Sequence, residues 1–188
     1  MNNLQENELK FKQIVSANIH RAGINNLMNW LDTTDFYNAP SSTRYHGAEP
    51  GGLCAHCIKV YECLKRKQED ETDESIAIAA LFHDLCKVDY YKQSLRNVKD
   101  ENGKWIQVPF YEINERSIPM GHGEKSMYLV MKHMSLTDDE ALAIRWHMGF
   151  SVLEPFYEKP SFTRSLEASK LVLKLHTADT ESSFWHKA

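Results

Sequence analysis

Residues 75–87 read SIAIAALFHDLCK. The run from Ser75 to Phe82 carries one hydroxyl and no charge, so a helix through it must be buried nearly all round. That helix ends with a histidine and an aspartate side by side, His83 and Asp84. An ionised carboxylate rarely sits in a core without a partner that offsets its lost hydration. Either the pair caps the helix and faces water, or something charged meets it inside the fold.

The surrounding chain favours helices. Residues 8–20 and 24–32 have the spacing of short amphipathic helices, and SSTRYHGAEPGG (41–52) is a loop ended by Pro50, Gly51 and Gly52. A helix follows in which Leu53, His56, Cys57, Val60, Cys63 and Leu64 share a face. Asp73 is placed to cap the helix through Ser75–Phe82, which the pattern extends to about residue 86. Residues 89–113 change character: DENG separates YYKQSLRNV from KWIQVPFYEI, which predicts a β-hairpin, with Pro109 confining the second strand to an edge. Helix returns over 122–134. LTDDEALAIRWHM then offers a capping box, Thr137 with Glu140, and a last long helix over 164–182 has Ala168, Leu171, Val172, Leu175 and Ala178 as its apolar face.

Composition bounds the function. The 188 residues suit one domain with a substantial core, and 42% hydrophobic with 26% charged residues is ordinary for a soluble globular protein. A net charge of −4 gives no electrostatic support for a broad nucleic-acid surface, leaving nucleic acid only as a substrate. The longest clean apolar run, residues 76–82, is too short to span a membrane, and MNNLQENELKFKQ lacks the apolar stretch of a signal peptide. The cytoplasm is the expected compartment. Cys54 and Cys57 form CAHC, a spacing compatible with half a zinc site or a redox pair. No second CxxC accompanies it and no strand precedes it, so the expectation is small buried side chains on a helix.

Four further polar residues lie in phase with the apolar face of their own helices. His56 follows Leu53 by three, His147 follows Ile144 by three, and Asp179 follows Leu175 by four. His122 opens its helix between Gly121 and Gly123. A single such histidine is ordinarily a hydrogen-bonded core residue. Four histidines and two aspartates would each need a separate internal partner, whereas one or two divalent cations satisfy them all, since imidazole nitrogens and carboxylate oxygens are good ligands for such ions.

These segments resemble the HD superfamily of metal-dependent phosphohydrolases, named for the His-Asp dipeptide. GGLCAHCIKV (51–60) is similar to its first-ligand helix, ALFHDLCKVD (80–89) to its HD motif, and HTADTES (176–182) to its last-ligand helix. GHGEKS (121–126) and IRWHMG (144–149) resemble the two extra histidine positions of the binuclear branch. The resemblance spans about residues 44–182. It implies a mainly α HD-domain helical bundle, a single domain over 1–188 into which the hairpin of about 89–113 is inserted. It further implies that His56, His83, Asp84 and Asp179 hold one metal, with Asp84 bridging to a second on His122 and His147. The metals would be divalent: Fe, Mn, Ni, Co, Mg or Zn.

The implied reaction is hydrolysis of a phosphoester, in a nucleotide or related molecule, by a metal-activated water. Asp84 and Lys87 are the expected catalytic residues, Lys87 neutralising a phosphate oxygen. Arg44 and His46, in the loop before His56, are expected to contact substrate together with Lys87, while Glu124 and Arg145 support the site. His20, His133, His176 and His186 have no assigned role. Nothing resembles the GYP segment of cyclic-di-GMP phosphodiesterases. Two alternatives share the pattern: a di-iron HD-type oxygenase, and a non-catalytic nucleotide-binding HD protein.

Overall fold

The computed structural model describes residues 3–43, 47–114, 118–152 and 157–184, the side chains of 151 and 152 excepted. Arg44, His46 and His186 therefore lie outside the described residues. Among those described, the chain is mainly helical with one antiparallel hairpin. The order is α1 (Asn3–Asn18), α2 (Ile24–Leu31), α3 (Gly52–Arg66), α4 (Asp73–Phe82), β1 (Tyr91–Lys99), β2 (Trp105–Ile113), α5 (His122–Met131), α6 (Asp138–Trp146), α7 (Glu158–Ala168) and α8 (Lys170–Phe184).

The stretch SIAIAALF is the centre of the fold. Ile76 to Phe82 are all fully buried, because α4 packs between α3, α1 and α6. Its N-cap is Thr72 rather than Asp73: the Thr72 hydroxyl accepts the Ser75 N–H at 3.1 Å, and Asp73 becomes the first helical residue. The helix also stops earlier than the apolar run suggested. It ends at Phe82, and a 3-10 turn over Leu85–Lys87 carries the chain on. His83 keeps helical backbone as the C-cap (φ −61°, ψ −31°), Asp84 leaves it (φ −106°, ψ 18°), and both are buried.

The C-terminal region departs from one long helix. Ser169 adopts extended backbone (φ −145°, ψ 121°) and separates α7 from α8. The reason lies in the phase of the apolar residues. Phe162 and Leu171, both buried, are nine positions apart, which on a continuous helix would place them about 180° from each other. The break lets both point inward. Ala168 then falls on the exposed end of α7, off the buried face made by Leu171, Val172, Leu175 and Ala178.

Two glycines set close approaches that shape the site. A Cβ on Gly123 would lie 2.0 Å from the Arg145 carbonyl, so α5 can press on α6 only with glycine there. Gly149 sits at φ +65° beneath the His176 ring. The capping box of α6 forms as the sequence indicates, with the Glu140 N–H donating to Thr137 Oγ1 at 3.3 Å and the Thr137 N–H to Glu140 Oε2 at 2.9 Å. In the hairpin, Tyr91 pairs with Ile113 and Lys99 with Trp105, and the turn lies at DENG. Cys54 and Cys57 are buried free thiols in the core, as the lone CAHC suggested. No helix among the described residues is long and apolar enough to cross a membrane.

Candidate metal centre

Five segments bring their polar residues to one point. His56 comes from α3, His83 and Asp84 from the end of α4, His122 from the first residue of α5, His147 from just after α6, and Asp179 from α8. Asp84, 2% exposed, is the hub. Its Oδ2 lies 3.5 Å from both His56 Nε2 and His83 Nε2, and its Oδ1 lies 2.8 Å from His122 Nε2 and 3.5 Å from His147 Nε2. Asp179 Oδ1 faces His56 Nε2 at 3.1 Å and His83 Nε2 at 4.0 Å. The two oxygens of one carboxylate thus address two separate sets of imidazoles.

Hydrogen bonds on the far side of the rings fix which nitrogen faces inward. His83 Nδ1 donates to the Ala80 carbonyl at 2.8 Å, and His147 Nδ1 donates to the Ile144 carbonyl at 2.8 Å. A carbonyl can only accept, so each Nδ1 carries a proton, and it is Nε2 that is left to face the interior as a ligand atom. Those two Nε2 atoms are buried and have no hydrogen-bond partner. His56 is oriented likewise. The Ser182 hydroxyl donates to the Asp179 carbonyl at 2.8 Å and lies 3.3 Å from His56 Nδ1, from which it can accept.

Burial pushes the His83 pKa down to about 4, against the pull of Asp84, so its ring stays neutral. Burial also works to raise the Asp84 carboxyl, but Lys87 and the imidazoles outweigh it and hold the group well below the usual carboxylate range. Asp179 is held low in the same way, burial being overcome by His56. Lys87 donates to Asp84 Oδ2 at 2.6 Å; burial lowers its pKa, and Asp84 more than reverses this. The buried, unpartnered lone pair of His83 therefore faces ionised carboxylates, with the unpartnered His147 Nε2 beside it. Such an arrangement repels itself unless a cation lies between, and the nitrogen and oxygen donors suit a divalent first-row metal.

Three overlapping groups of ligating atoms lie within 4.8 Å of one another: His56, His83 and Asp179; His83, Asp84 and His147; and Asp84, Cys86 and His122. Cys86 was not anticipated from sequence. Its buried thiol lies 4.0 Å from Asp84 Oδ1, and its only signal was its place two residues after Asp84. A cavity of about 190 Å³ opens onto the centre, where Ser41, Ser42, Met148 and Ser183 join Lys87 in its wall. On the far side of His122 a second recess of about 230 Å³ is lined by Glu124, Arg145 and Glu158. There Arg145 pairs with Glu124 and, at 2.8 Å, with Glu158.

A family model for the HD domain matches residues 53–180, a stretch that contains all six converging residues. The chain belongs to the HD domain family. Comparison with curated proteins and with solved structures gave no match. HD domains bind divalent metals, and the superfamily consists mostly of metal-dependent phosphohydrolases. Of the histidines left without a role, His176 braces the HD centre, since its Nδ1 lies 2.7 Å from the His147 carbonyl. His133 instead stacks on Trp30, with 5.1 Å between the rings.

Proposed function

We propose that this HD protein hydrolyses a phosphoester of a nucleotide or a related small molecule. In this reading residues 1–188 are one HD domain carrying the hairpin as an insertion. His56, His83, Asp84 and Asp179 hold one divalent ion, and Asp84, His122 and His147 hold a second. The supporting observation is the pair of buried, unpartnered Nε2 atoms of His83 and His147, set around the two oxygens of Asp84. Divalent ions in such a site lower the pKa of bound water and neutralise charge on phosphoryl oxygens.

The chain's own residues do the rest. Asp84, kept ionised, ties both positions together. The Ala80 and Ile144 carbonyls stop the imidazoles from rotating, so the ligand atoms need no reorganisation when substrate arrives. Lys87 Nζ stands in the cavity wall and brings a positive charge to a phosphoryl oxygen.

The test combines metal analysis of purified protein with a phosphoester screen in air and without oxygen. Hydrolysis in both atmospheres is expected. Lys87→Ala should keep the metals and lower turnover by about 10²-fold, as removal of a preorganised electrostatic donor does. Activity that requires oxygen, with no phosphoester cleaved, would transfer the assignment to the di-iron oxygenase.

A further inference from the structure

The turn that carries Asp84 and Lys87 is gripped by α5 at both backbone groups of Cys86. The Cys86 N–H donates to Ser126 Oγ at 3.0 Å, and its carbonyl accepts from Lys125 Nζ at 2.6 Å. Both gripping side chains are buried, Lys125 at 5% exposure and Ser126 at 0%. Ser126 Oγ also lies 3.4 Å from the His122 carbonyl, so one hydroxyl joins the backbones of His122 and Cys86. Lys125 and Ser126 follow His122 by three and four residues, which puts all three on one face of α5. Tyr90, at the foot of the hairpin, covers the ammonium, with Nζ 5.0 Å from its ring centroid.

We infer that Lys125 and Ser126 are positioning residues that set the distance between His122 and Asp84, and thereby build the second ion position. This rests on the two-ion reading above. An ammonium is an expensive group to bury, and burial pushes the Lys125 pKa down. An apolar side chain would fill the space but leave the Cys86 carbonyl unanswered. What the lysine provides is a short, charge-assisted bond to the backbone of Cys86, in the turn between Asp84 and Lys87. The 2.8 Å contact of His122 Nε2 with Asp84 Oδ1 depends on that registry, because the two residues come from different elements. His56, His83 and Asp179 lie outside the clamped turn, so the clamp reaches the first ion position through Asp84 alone.

The experiment is a Co²⁺ titration of metal-free protein, read by calorimetry and by metal content, beside the thermal midpoint of each variant. The parent should take up two equivalents. Lys125→Met should weaken the second by about 10–100-fold, the usual effect of losing a group that orients metal ligands, and the first, three of whose four ligands lie off the clamped turn, by less than about 10-fold. Ser126→Ala should act in the same direction and serves if Lys125→Met does not fold. Val130→Ala is the control: Val130 is fully buried on α5 yet makes no contact with the turn through a polar group, so it should lower the thermal midpoint and leave both equivalents. If Lys125→Met and Ser126→Ala retain the second equivalent at parental affinity, or weaken both equivalents alike, the inference is wrong. A parent that binds only one equivalent overturns the two-ion reading and this inference with it.

Discussion

Removing Asp84 should damage the metal-free protein through Lys87. Lys87 Nζ lies 2.6 Å from Asp84 Oδ2, with side-chain exposures of 15% and 2%. Asp84→Ala deletes the carboxylate and strands an ammonium in a largely dry site. Breaking a buried pair from one side costs about 3–5 kcal/mol, whereas replacing both partners with apolar groups is often near neutral. For a chain of this size each kcal/mol moves the thermal midpoint by about 2–4 °C, so Asp84→Ala should lose about 6–20 °C in chelator. Adding Lys87→Met to Asp84→Ala should restore most of that loss. The assay is thermal or urea unfolding of the parent, both single variants and the double variant, all stripped of metal. The reasoning fails if the double variant is no more stable than Asp84→Ala, for then Lys87 was never a charge that needed its partner.

Acidification gives a second measurement. The folded His83 pKa, about 4, lies below the ordinary 6.5, so the unfolded chain takes up the proton first. Metal-free stability should be complete above pH 6.5 and fall as pH drops toward about 4, by up to about 3 kcal/mol at 1.36 kcal/mol per unit. His83→Gln should flatten the profile between pH 6.5 and 5, and an equal slope in both proteins would show that the buried His83 ring is not the group responsible. The cysteines of CAHC supply a third: with Cys54 and Cys57 both changed to Ala, metal content should be unchanged and stability modestly lower, while loss of metal would make them ligands.

The site was legible because its residues violate the pattern of the helices they occupy. His56, His147 and Asp179 each fall in phase with buried neighbours, and His83-Asp84 closes a run with no polar face at all. Those anomalies are local and survive in one dimension. The break at Ser169 was legible only in principle, since no glycine or proline marks it and only the opposed phases of Phe162 and Leu171 demand it. Lys125 was not legible. In GHGEKS it looks like a solvated helix lysine, and its burial depends on Cys86, which lies 39 residues earlier. The Cys86 thiol was hidden for the same reason, because small buried cysteines look alike until their neighbours are known.

The two unpartnered imidazoles also show why the centre forms at helix ends. The last carbonyls of a helix have no N–H from the next turn, and α4 and α6 use theirs in the same way. His83 and His147 both stand immediately after the last helical residue, and each donates Nδ1 to the carbonyl three positions back. One bond therefore satisfies an orphan acceptor and fixes a ring. It also aims Nε2 out of the helix and into the core. The negative ends of both helix dipoles meet there, which favours a cation and disfavours a bare carboxylate. Asp84 is tolerated in this field because Lys87 donates to its Oδ2. A second carboxylate, Asp179, deepens the negative potential further. These charges and dipoles converge without a matching cation other than Lys87 among the described residues around them, so the stability of this core and its capacity to hold metal are one property of the same arrangement.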